Sequence, residues 1–220
     1  MIRFPTDLYL VMDPAVIPQH DLLEAAEEAI RGGVRMIQYR VKEGGRRQTY
    51  EAARRLRDLT RREKVILIIN DDVDLAMAIE ADGVHLGQED LPIARVRALL
   101  GPDPIIGASA HTVDQALSAQ KAGADYLGIG PIFPSPSKQA RPPLGPEILS
   151  KIRSKVAIPL FAIGGITEAN VREVLLTGAD GVACISAVFS ASHRLPDIRK
   201  TAERLLEIIR LTKAQTARAT

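Results

Sequence analysis

Short, nearly continuous apolar runs alternate along the chain with longer stretches in which apolar residues recur every three or four positions. The short runs are rich in Val and Ile, which is typical of parallel β-strands that are covered on both faces. The longer stretches have the period of amphipathic helices. Eight runs are candidate strands: Leu8–Met12, Val34–Tyr39, Val65–Ile69, Gly83–Leu86, Ile105–Ala108, Tyr126–Ile129, Leu160–Ile163 and Val182–Ile185.

Capping signals predict where several helices begin. The pattern Asp21-x-x-Glu24 forms a capping box before the first helical stretch, and Thr112-x-x-Gln115 forms another. Thr167 is the predicted N-cap of a further helix. Glycines follow these stretches and end them. Strands and helices are therefore expected to alternate strictly.

A weak internal repeat supports the count of eight strands, because each repeated string ends a helical stretch and precedes an even-numbered strand. The strings are RGGV (31–34), ADGV (81–84), GADY (123–126) and GADGV (178–182). Alternation fits a (β/α)8 barrel or a doubly wound sheet, and the lack of a Gly-x-Gly-x-x-Gly motif after the first strand favours the barrel. We predict an α/β fold, a single (β/α)8 TIM-barrel domain over residues 1–220. Its last helix is expected from Pro196 to about Leu211, with about 212–220 as a flexible tail.

Composition narrows the function classes. The net charge is only +2, aromatic residues make up 4% and Trp is absent, so no nucleic-acid partner is expected. Cys184 is the single cysteine, which fits a reducing compartment, and its apolar neighbours favour a buried hydrophobe over a reactive thiol. No apolar run reaches roughly 18 residues and no signal peptide is evident, so no membrane and a cytoplasmic location are expected. A homo-oligomer is left open.

In a (β/α)8 barrel, function collects at the carboxyl ends of the strands. At the end of the second strand, alternation places Gln38, Arg40 and Lys42 on one side of the chain. An amide and two cations at the barrel mouth suit an anionic or phosphorylated ligand. A solvated basic loop is the alternative.

Carboxylates follow the next two strands. The third strand leads into Asn70, Asp71 and Asp72, and Asp90 follows the fourth. Such oxygen ligands suit Mg²⁺, which takes one or two carboxylates and completes its shell with water and substrate phosphates. The alternative is N-capping, which we expect for Asp72. Asp71 and Asp90 are the predicted Mg²⁺ ligands.

Two histidines lie near these strand ends. His111 follows Ser109 at the end of the fifth strand and is either a proton-transfer group or simply the residue before a helix cap. His85 lies within the fourth strand and is expected to line the core or the mouth. No second His or Cys stands at the spacing of a zinc site.

The ends of the seventh and eighth strands are the usual phosphate site of this architecture. Gly164 and Gly165 follow the seventh strand and are expected to lead directly into a helix, where bare backbone N–H groups face an anion. Ile185 and Ser186 end the eighth strand. A tight turn is the alternative for the glycine pair.

The sixth strand leads into a proline-rich segment, GIGPIFPSPSKQARPPLG (128–145). Proline-rich segments are usually linkers, but this one lies in mid-chain. Its prolines restrict the backbone, so ordering the segment over a ligand costs little entropy. Ser135, Ser137 and Lys138 then offer two hydroxyls and a cation, which is a plausible clamp for phosphate oxygens.

Four separated motifs, in the right order, resemble those of the thiamine-phosphate synthase family. Gln38-Tyr39-Arg40-Val41-Lys42 resembles its Gln-x-Arg-x-Lys strand exit. The other three are IINDDVDLAMAIEADGVHLGQEDLP, GADYLGIGPIFPSPSK and IPLFAIGGITEANVREVLLTGADGVACIS. The similarity extends from about Leu8 to Phe189 and is far more specific than a single glycine pair.

The resemblance implies a reaction and a site. Hydroxymethylpyrimidine diphosphate would condense with hydroxyethylthiazole phosphate to give thiamine phosphate and pyrophosphate. The residues implied for the pyrimidine diphosphate are Gln38, Arg40, Lys42, Asn70, Ser109, Ser135, Ser137 and Lys138. Among them, Arg40, Lys42 and Lys138 would be catalytic. Asp71 and Asp90 would bind Mg²⁺, and the residues implied for the thiazole phosphate are Gly165, Ile185 and Ser186.

The implied reaction needs no protein nucleophile. Pyrophosphate leaves first, a resonance-stabilised pyrimidine methylene cation forms, and the thiazole nitrogen attacks it. Catalysis then consists of stabilising the leaving group's charge and aligning the two rings.

The sequence departs from the family pattern at a few positions. Asp72 stands where Arg is expected after Asn-Asp, Ala110 stands where Thr is usual, and Ser135 and Ser137 replace the more frequent threonines. The related thiazole tautomerase, which uses a histidine near the position of His111, is the rival enzyme. A non-catalytic phosphate-binding barrel is the rival of another class. The diphosphate-binding cations favour the synthase, and the carboxylate pair counts against a sensor.

Overall fold

Eight parallel strands close into a barrel in the computed structural model of the protein, which describes residues 7–17, 22–134, 142–189 and 194–219. The strands follow one another around the barrel in chain order, and the last pairs with the first. They are β1 (Leu8–Met12), β2 (Met36–Tyr39), β3 (Ile66–Asn70), β4 (Gly83–Leu86), β5 (Ile105–Ala110), β6 (Tyr126–Ile129), β7 (Leu160–Ile163) and β8 (Gly181–Cys184). The predicted (β/α)8 TIM barrel is confirmed.

A helix follows every strand and shields the outer face of the barrel from water. The helices are α1 (Leu22–Arg31), α2 (Arg46–Arg62), α3 (Val73–Ala78), α4 (Ile93–Leu100), α5 (Val113–Lys121), α6 (Glu147–Arg153), α7 (Val171–Leu176) and α8 (Leu195–Ala219). None of the helices in these ranges is both long and apolar enough to cross a membrane.

The predicted helix caps have mixed outcomes. Thr112 is the N-cap of α5, where its hydroxyl accepts a hydrogen bond from the backbone N–H of Gln115 at 3.2 Å. The prediction for Thr167 is wrong, because Asn170 is the N-cap of α7. The Asn170 side chain accepts from the backbone N–H of Thr167 at 2.8 Å and closes a turn before the helix begins. Asp21 lies outside the described residues.

The last helix is longer than predicted. α8 continues to Ala219, so the expected flexible tail over about 212–220 is corrected as far as Ala219. Thr212 is buried, and the amine of Lys213 donates to the carboxylate of Asp7 at 2.7 Å. These tertiary contacts hold the last turns of the helix against the amino end of the barrel.

Three of the four repeated strings share a structural role at the amino end of the barrel. In the last three strings, the aspartate accepts from a backbone N–H near the start of the preceding odd-numbered strand and pairs with an arginine from the helix before that strand. The N–H contacts are Leu67–Asp82, Ile106–Asp125 and Leu160–Asp180, at 2.7, 2.8 and 2.8 Å. The ion pairs are Arg57–Asp82, Arg97–Asp125 and Arg153–Asp180, at 2.7, 2.6 and 2.8 Å. The sequence repeat is therefore a repeated helix–strand corner.

The barrel interior is filled below the mouth by inward-facing side chains. They are Tyr9, Met36, Ile68, Tyr126, Phe161 and Ala183. The ring of Tyr126 meets those of Tyr9 and Phe161 edge to face, with centroids 5.7 and 5.6 Å apart. Gly107 makes room for this cluster, because a Cβ atom there would lie 2.1 Å from the ring of Tyr126. The polar groups of the mouth thus rest on a packed aromatic floor.

Candidate active site

Arg40 lies at the mouth and pairs with a carboxylate from the neighbouring strand exit. Its guanidinium contacts Asp13, which also accepts from the backbone N–H of Ala15 at 2.9 Å. The backbone N–H of Arg40 continues the strand ladder to the carbonyl of Met12 at 3.0 Å. Asp13 is absent from the predicted site. Asp13 directly follows the apolar strand β1, just as Asp71 follows β3, so the same sequence signal could have identified it.

Lys42, Asp71 and Asp90 form a charged cluster at the exits of β2, β3 and β4. The Nζ atom of Lys42 lies 2.5 Å from Oδ2 of Asp71, and the Asp71 and Asp90 carboxyl groups are hydrogen-bonded to each other. Asp71 has a φ of 62° and donates its backbone N–H to the carbonyl of His85 at 2.8 Å. Asp90 accepts from the backbone N–H of Gly87 at 2.6 Å. A backbone hydrogen bond thus fixes the main chain at Asp71, and another holds the carboxyl group of Asp90.

The two carboxyl groups differ in their pKa values. Burial acts to raise the pKa of Asp71, but hydrogen bonds with Lys42 and Asp90 outweigh burial and hold this pKa below its ordinary value. Burial and the adjacent Asp71 carboxylate raise the pKa of Asp90. A second cation would allow both groups to ionise, because opposite charge favours the ionised form.

The donor set fits a magnesium ion. Two contacting carboxylates match the one or two that Mg²⁺ usually takes from a protein. Among the residues that the structure describes, no group of three or more His, Cys, Asp or Glu side chains could hold a metal ion. A Mg²⁺ at this cluster would therefore need oxygens from water or substrate to complete its shell.

Asp72 serves α3. It is the N-cap of this helix, as expected, and its side chain accepts from the backbone N–H of Leu75 at 3.4 Å. Arg46 lies 3.9 Å from Asp72 and also pairs with Asp74. These contacts form part of the wall of an open cavity of about 450 Å³ between the starts of α2 and α3. Lys42 borders this cavity and joins it to the carboxylate cluster.

A second, smaller cavity of about 50 Å³ opens inside the carboxyl end of the barrel. It brings together five of the predicted site residues: Gln38, Arg40, Asn70, Ser109 and Ile185. Its other lining residues are Tyr9, Val11, His85, Gly128, Phe161, Ile163 and Ala183. Lys42, Gly165 and Ser186 do not line this cavity. All eight strands therefore contribute residues to this one pocket, and the five predicted residues come from the ends of four of them.

Five side chains join into a hydrogen-bonded chain across this pocket and its floor. The Nε2 atom of Gln38 lies 2.5 Å from the hydroxyl of Tyr9, which lies 2.7 Å from the hydroxyl of Tyr126. The Tyr126 hydroxyl lies 3.0 Å from Nδ1 of His85, and Nε2 of His85 lies 2.9 Å from the hydroxyl of Ser109. Burial raises the pKa values of Tyr9 and Tyr126, so both remain neutral phenols.

The sequence did not predict a role for Tyr9 and Tyr126, the two tyrosines of this hydrogen-bonded series. It did predict that His85 lines the core or the mouth, and the structure confirms this position. Tyr9 and Tyr126 lie inside strands whose other inward residues are apolar or glycine. The signal in the sequence was a tyrosine, with its hydroxyl group, at a strand position that faces the barrel interior. Recognising it requires knowing which face of each strand points inward.

The strand-seven exit differs from the expectation. Gly165 does not lead directly into a helix, because α7 begins only after Asn170, whose side chain donates to the carbonyl of Gly165 at 2.9 Å. Gly165 has a φ of 65°, and a Cβ atom there would lie 2.5 Å from the carbonyl oxygen of Pro134. Ile185 is buried and Ser186 is exposed in the turn after β8. The helix N-terminus part of the phosphate-site prediction is therefore wrong.

The proline-rich segment begins and ends at the mouth. Three predicted residues lie outside the described part of the chain: Ser135, Ser137 and Lys138. On one side of residues 135–141, Phe133 donates its N–H to the carbonyl of Gly164 at 3.0 Å. On the other side, Leu144 donates to the carbonyl of Pro131 at 2.8 Å. The two ends of the segment are thus hydrogen-bonded together beside the exit of β7.

His111 is held at the start of α5. Its Nδ1 atom lies 2.6 Å from the carbonyl oxygen of Gly130, so Nδ1 carries the proton and donates it. Its backbone N–H donates to the side chain of Gln115 at 2.8 Å. A role in proton transfer stays a prediction.

The fold and the convergent polar groups at its carboxyl end define a TIM-barrel enzyme. A family model described as thiamine monophosphate synthase (TMP-TENI) matches residues 8–188. The chain belongs to this family.

Named relatives agree with this assignment. A thiamine-phosphate synthase of Syntrophomonas wolfei is 45% identical over 209 residues, which cover 94% of this chain and 98% of that protein. A thiamine-phosphate synthase of Chloroflexus aurantiacus is 45% identical over 207 residues, covering 94% of each chain. A solved structure, the thiamine phosphate pyrophosphorylase from Pyrococcus furiosus, superposes with a TM-score of 0.84 at 43% identity and covers 94% of this chain and 96% of that chain.

Proposed function

We propose that the protein condenses hydroxymethylpyrimidine diphosphate with hydroxyethylthiazole phosphate, forming thiamine phosphate and releasing pyrophosphate. Family membership supports this reaction, and one structural observation carries it. Asn70 lines the inner cavity, and the next residue, Asp71, belongs to the charged cluster with Lys42 and Asp90. A pocket of amide and hydroxyl groups, suited to a heterocycle, thus adjoins a cluster suited to a diphosphate and its metal ion.

The pyrimidine ring would enter the inner cavity, where Gln38, Asn70 and Ser109 offer amide and hydroxyl groups. A volume of about 50 Å³ is room for only one or two water molecules, so part of the ring would remain in the open mouth. The diphosphate would then lie over Arg40 and Lys42, whose charges match phosphate oxygens. From the proline-rich segment, the predicted diphosphate contacts are Ser135, Ser137 and Lys138.

Asp71 and Asp90 would hold Mg²⁺. When bound, the ion supplies positive charge to the departing pyrophosphate. In the structure Lys42 alone balances Asp71 within this cluster. A cation held by these two carboxylates would balance the charge of Asp71 and so leave the amine of Lys42 available to the phosphate oxygens.

The bond changes need no protein nucleophile. The bond between the methylene carbon and the diphosphate oxygen breaks, both electrons leave with pyrophosphate, and the ring stabilises the remaining methylene cation. The lone pair of the thiazole nitrogen then forms the new carbon–nitrogen bond. Arg40, Lys42 and Lys138 stabilise the leaving charge, and the pocket walls align the rings. Burial raises the pKa of Cys184 to about 12, which fits its absence from the chemistry.

The thiazole phosphate would bind at the adjacent exits of β7 and β8, through Gly165, Ile185 and Ser186. Ile185 supports this placement because it also lines the inner cavity, so a thiazole ring beside it faces the pyrimidine ring. Gly165 supports it because its positive φ of 65° presents bare backbone at the mouth.

The test of this proposal separates the synthase from the tautomerase. Purified protein is incubated with both synthase substrates and Mg²⁺, and separately with the thiazole carboxylate phosphate tautomers, and products are identified by mass spectrometry and NMR. We expect thiamine phosphate from the first mixture and no isomerisation in the second. Isomerisation without any thiamine phosphate would assign the protein to the tautomerase reaction.

Two small phosphorylated molecules are thus the proposed partners. Two further statements stay predictions from the sequence: a cytoplasmic location and no nucleic-acid partner. Whether the protein forms a homo-oligomer is left open.

A further inference from the structure

The hydrogen-bonded series Gln38, Tyr9, Tyr126, His85 and Ser109, here called the inner chain, begins and ends at residues placed in the pyrimidine site. Its middle member does not line the cavity: Tyr126 is fully buried beneath it. The Gln38 side chain also lies within hydrogen-bonding reach of the Tyr126 hydroxyl. A ligand in the cavity can therefore sense Tyr126 only through the other members.

The backbone is shaped to admit the rings of this chain. A Cβ atom at Gly107 would lie 2.1 Å from the Tyr126 ring, and one at Gly128 would lie 3.1 Å from Cε1 of His85. Two inward-facing strand positions thus carry no side chain, and the rings occupy that space. This arrangement fixes where the Tyr126 hydroxyl and the imidazole of His85 can lie.

Two proton arrangements satisfy every member of the inner chain, since each hydroxyl has one proton to donate and neutral imidazole has one donor and one acceptor. In the first, the amide nitrogen of Gln38 donates to Tyr9, Tyr9 to Tyr126, and Tyr126 to Nδ1 of His85. Nε2 of His85 then donates to Ser109, whose own proton is left for the pocket. The structure has the first arrangement at its Gln38 end, where Nε2 faces the Tyr9 hydroxyl and donates to it. In the second, the Gln38 amide is rotated so that its carbonyl oxygen accepts from Tyr9, and every other hydrogen bond runs the other way.

The two arrangements present opposite patterns to a ligand. In the first, Gln38 keeps its carbonyl oxygen for the pocket, and Ser109 offers a proton. In the second, Gln38 offers its amide N–H and Ser109 offers a lone pair. Because the links are continuous, the two ends cannot be set independently without leaving a buried polar group unpaired, which is unfavourable.

We propose that Tyr126 is a positioning residue that couples the orientation of the Gln38 amide to that of the Ser109 hydroxyl, and so sets the site to recognise an aminopyrimidine. The amino group and ring nitrogen of such a ring match a carbonyl acceptor and a hydroxyl donor. An oxopyrimidine, with a ring N–H and a carbonyl, matches the opposite arrangement. This inference rests on the proposed function and specifies how its first substrate is selected.

The test compares Tyr126→Phe with a matched control, Tyr39→Phe. Tyr39 is also a buried strand tyrosine, but it packs in the outer core and its hydroxyl has no hydrogen-bond partner among the described residues. Calorimetry gives Kd values for the aminopyrimidine diphosphate and for its oxo analogue, without the thiazole substrate. Steady-state kinetics give KM for the thiazole phosphate, and thermal unfolding gives Tm.

We expect Tyr126→Phe to reduce the preference for the amino over the oxo compound at least tenfold, with KM for the thiazole phosphate unchanged. Tyr39→Phe should leave the preference at the wild-type value. His85→Phe removes the link between Tyr126 and Ser109 and should reproduce the loss, so the result does not depend on one variant folding. Equal weakening of both compounds in Tyr126→Phe, or an unchanged preference, would overturn the coupling. A wild-type protein that does not bind the aminopyrimidine diphosphate would instead overturn the proposed function.

Discussion

Lys42 and Asp71, whose Nζ and Oδ2 atoms lie 2.5 Å apart, join the exits of β2 and β3. The Lys42 side chain is 54% exposed and that of Asp71 only 25%, so the amine can reach a ligand in the mouth while the carboxylate stays fixed. Asp71 is in turn hydrogen-bonded to Asp90. One cation and two carboxylates from three strand exits thus concentrate the charge of the site at one side of the mouth.

Removing either carboxylate charge should weaken the binding of Mg²⁺. Asp71→Asn or Asp90→Asn is expected to raise the Mg²⁺ concentration for half-maximal activity at least tenfold, because each variant loses one of two anionic ligands. Initial rates over a Mg²⁺ titration measure this shift. The control is Asp72→Asn, which keeps a good N-cap for α3 and should leave the midpoint unchanged. A wild-type midpoint in Asp71→Asn would remove this residue from the metal site.

Lys138 is the predicted cation of the proline-rich segment. Lys138→Ala should lower turnover at least tenfold, about 1.4 kcal/mol of transition-state stabilisation, because the variant lacks a positive charge that stabilises the leaving pyrophosphate. Arg141→Ala, which removes a cation of no assigned role from the same segment, should leave turnover unchanged. Steady-state rates with both substrates saturating distinguish the two. Equal effects in both variants would mean that the segment contributes only general positive charge.

Asp125 should matter for stability and not for catalysis. Asp125→Ala removes the acceptor of the Ile106 N–H, at 2.8 Å, and the partner of Arg97, at 2.6 Å. Leaving these groups unpaired should cost about 1–3 kcal/mol in the free energy of unfolding. Asp58→Ala, which removes an exposed carboxylate 3.4 Å from Arg54, should cost less than about 0.5 kcal/mol. Urea unfolding measures both; equal losses would contradict the structural role of the repeat.

Cys184 should be unreactive in the folded protein. Burial raises its pKa from 9.0 to about 12, so at pH 8 the thiol is protonated and shielded. Iodoacetamide should label it only after denaturation, as mass spectrometry would show. Because the pKa of this thiol is raised in the folded protein, its contribution to the free energy of unfolding is fully present below pH 9. This contribution is lost as the pH rises towards 12. Rapid labelling of the native protein at pH 8 would mean that the thiol is accessible.

The barrel could be predicted because its strands are marked by local pattern. Continuous apolar runs such as Tyr126–Ile129 can only be buried on both faces, and the bounds of this strand agree with the structure. Strand exits then follow directly from the order of elements, so polar residues such as Asn70 and Ser109 could be assigned to one mouth. Their convergence on a single cavity confirms that step.

Other features depend on contacts between distant residues. The last turns of α8 are held by Lys213 on Asp7, 206 positions away in the chain, so local composition suggests a frayed end. Tyr9 and Tyr126 meet across the barrel over 117 positions, and only closure of the sheet brings them together. At α7, two capping residues compete, and the sequence alone does not show that Asn170 prevails over Thr167.

Pyrophosphate release with each substrate alone and with both together, in the presence and absence of Mg²⁺, tests the proposed reaction most directly. We predict release only when both substrates and Mg²⁺ are present, with one thiamine phosphate formed for each pyrophosphate. Equal release without Mg²⁺, or no thiamine phosphate from the complete mixture, would contradict a metal-assisted condensation at the Asp71–Asp90 cluster.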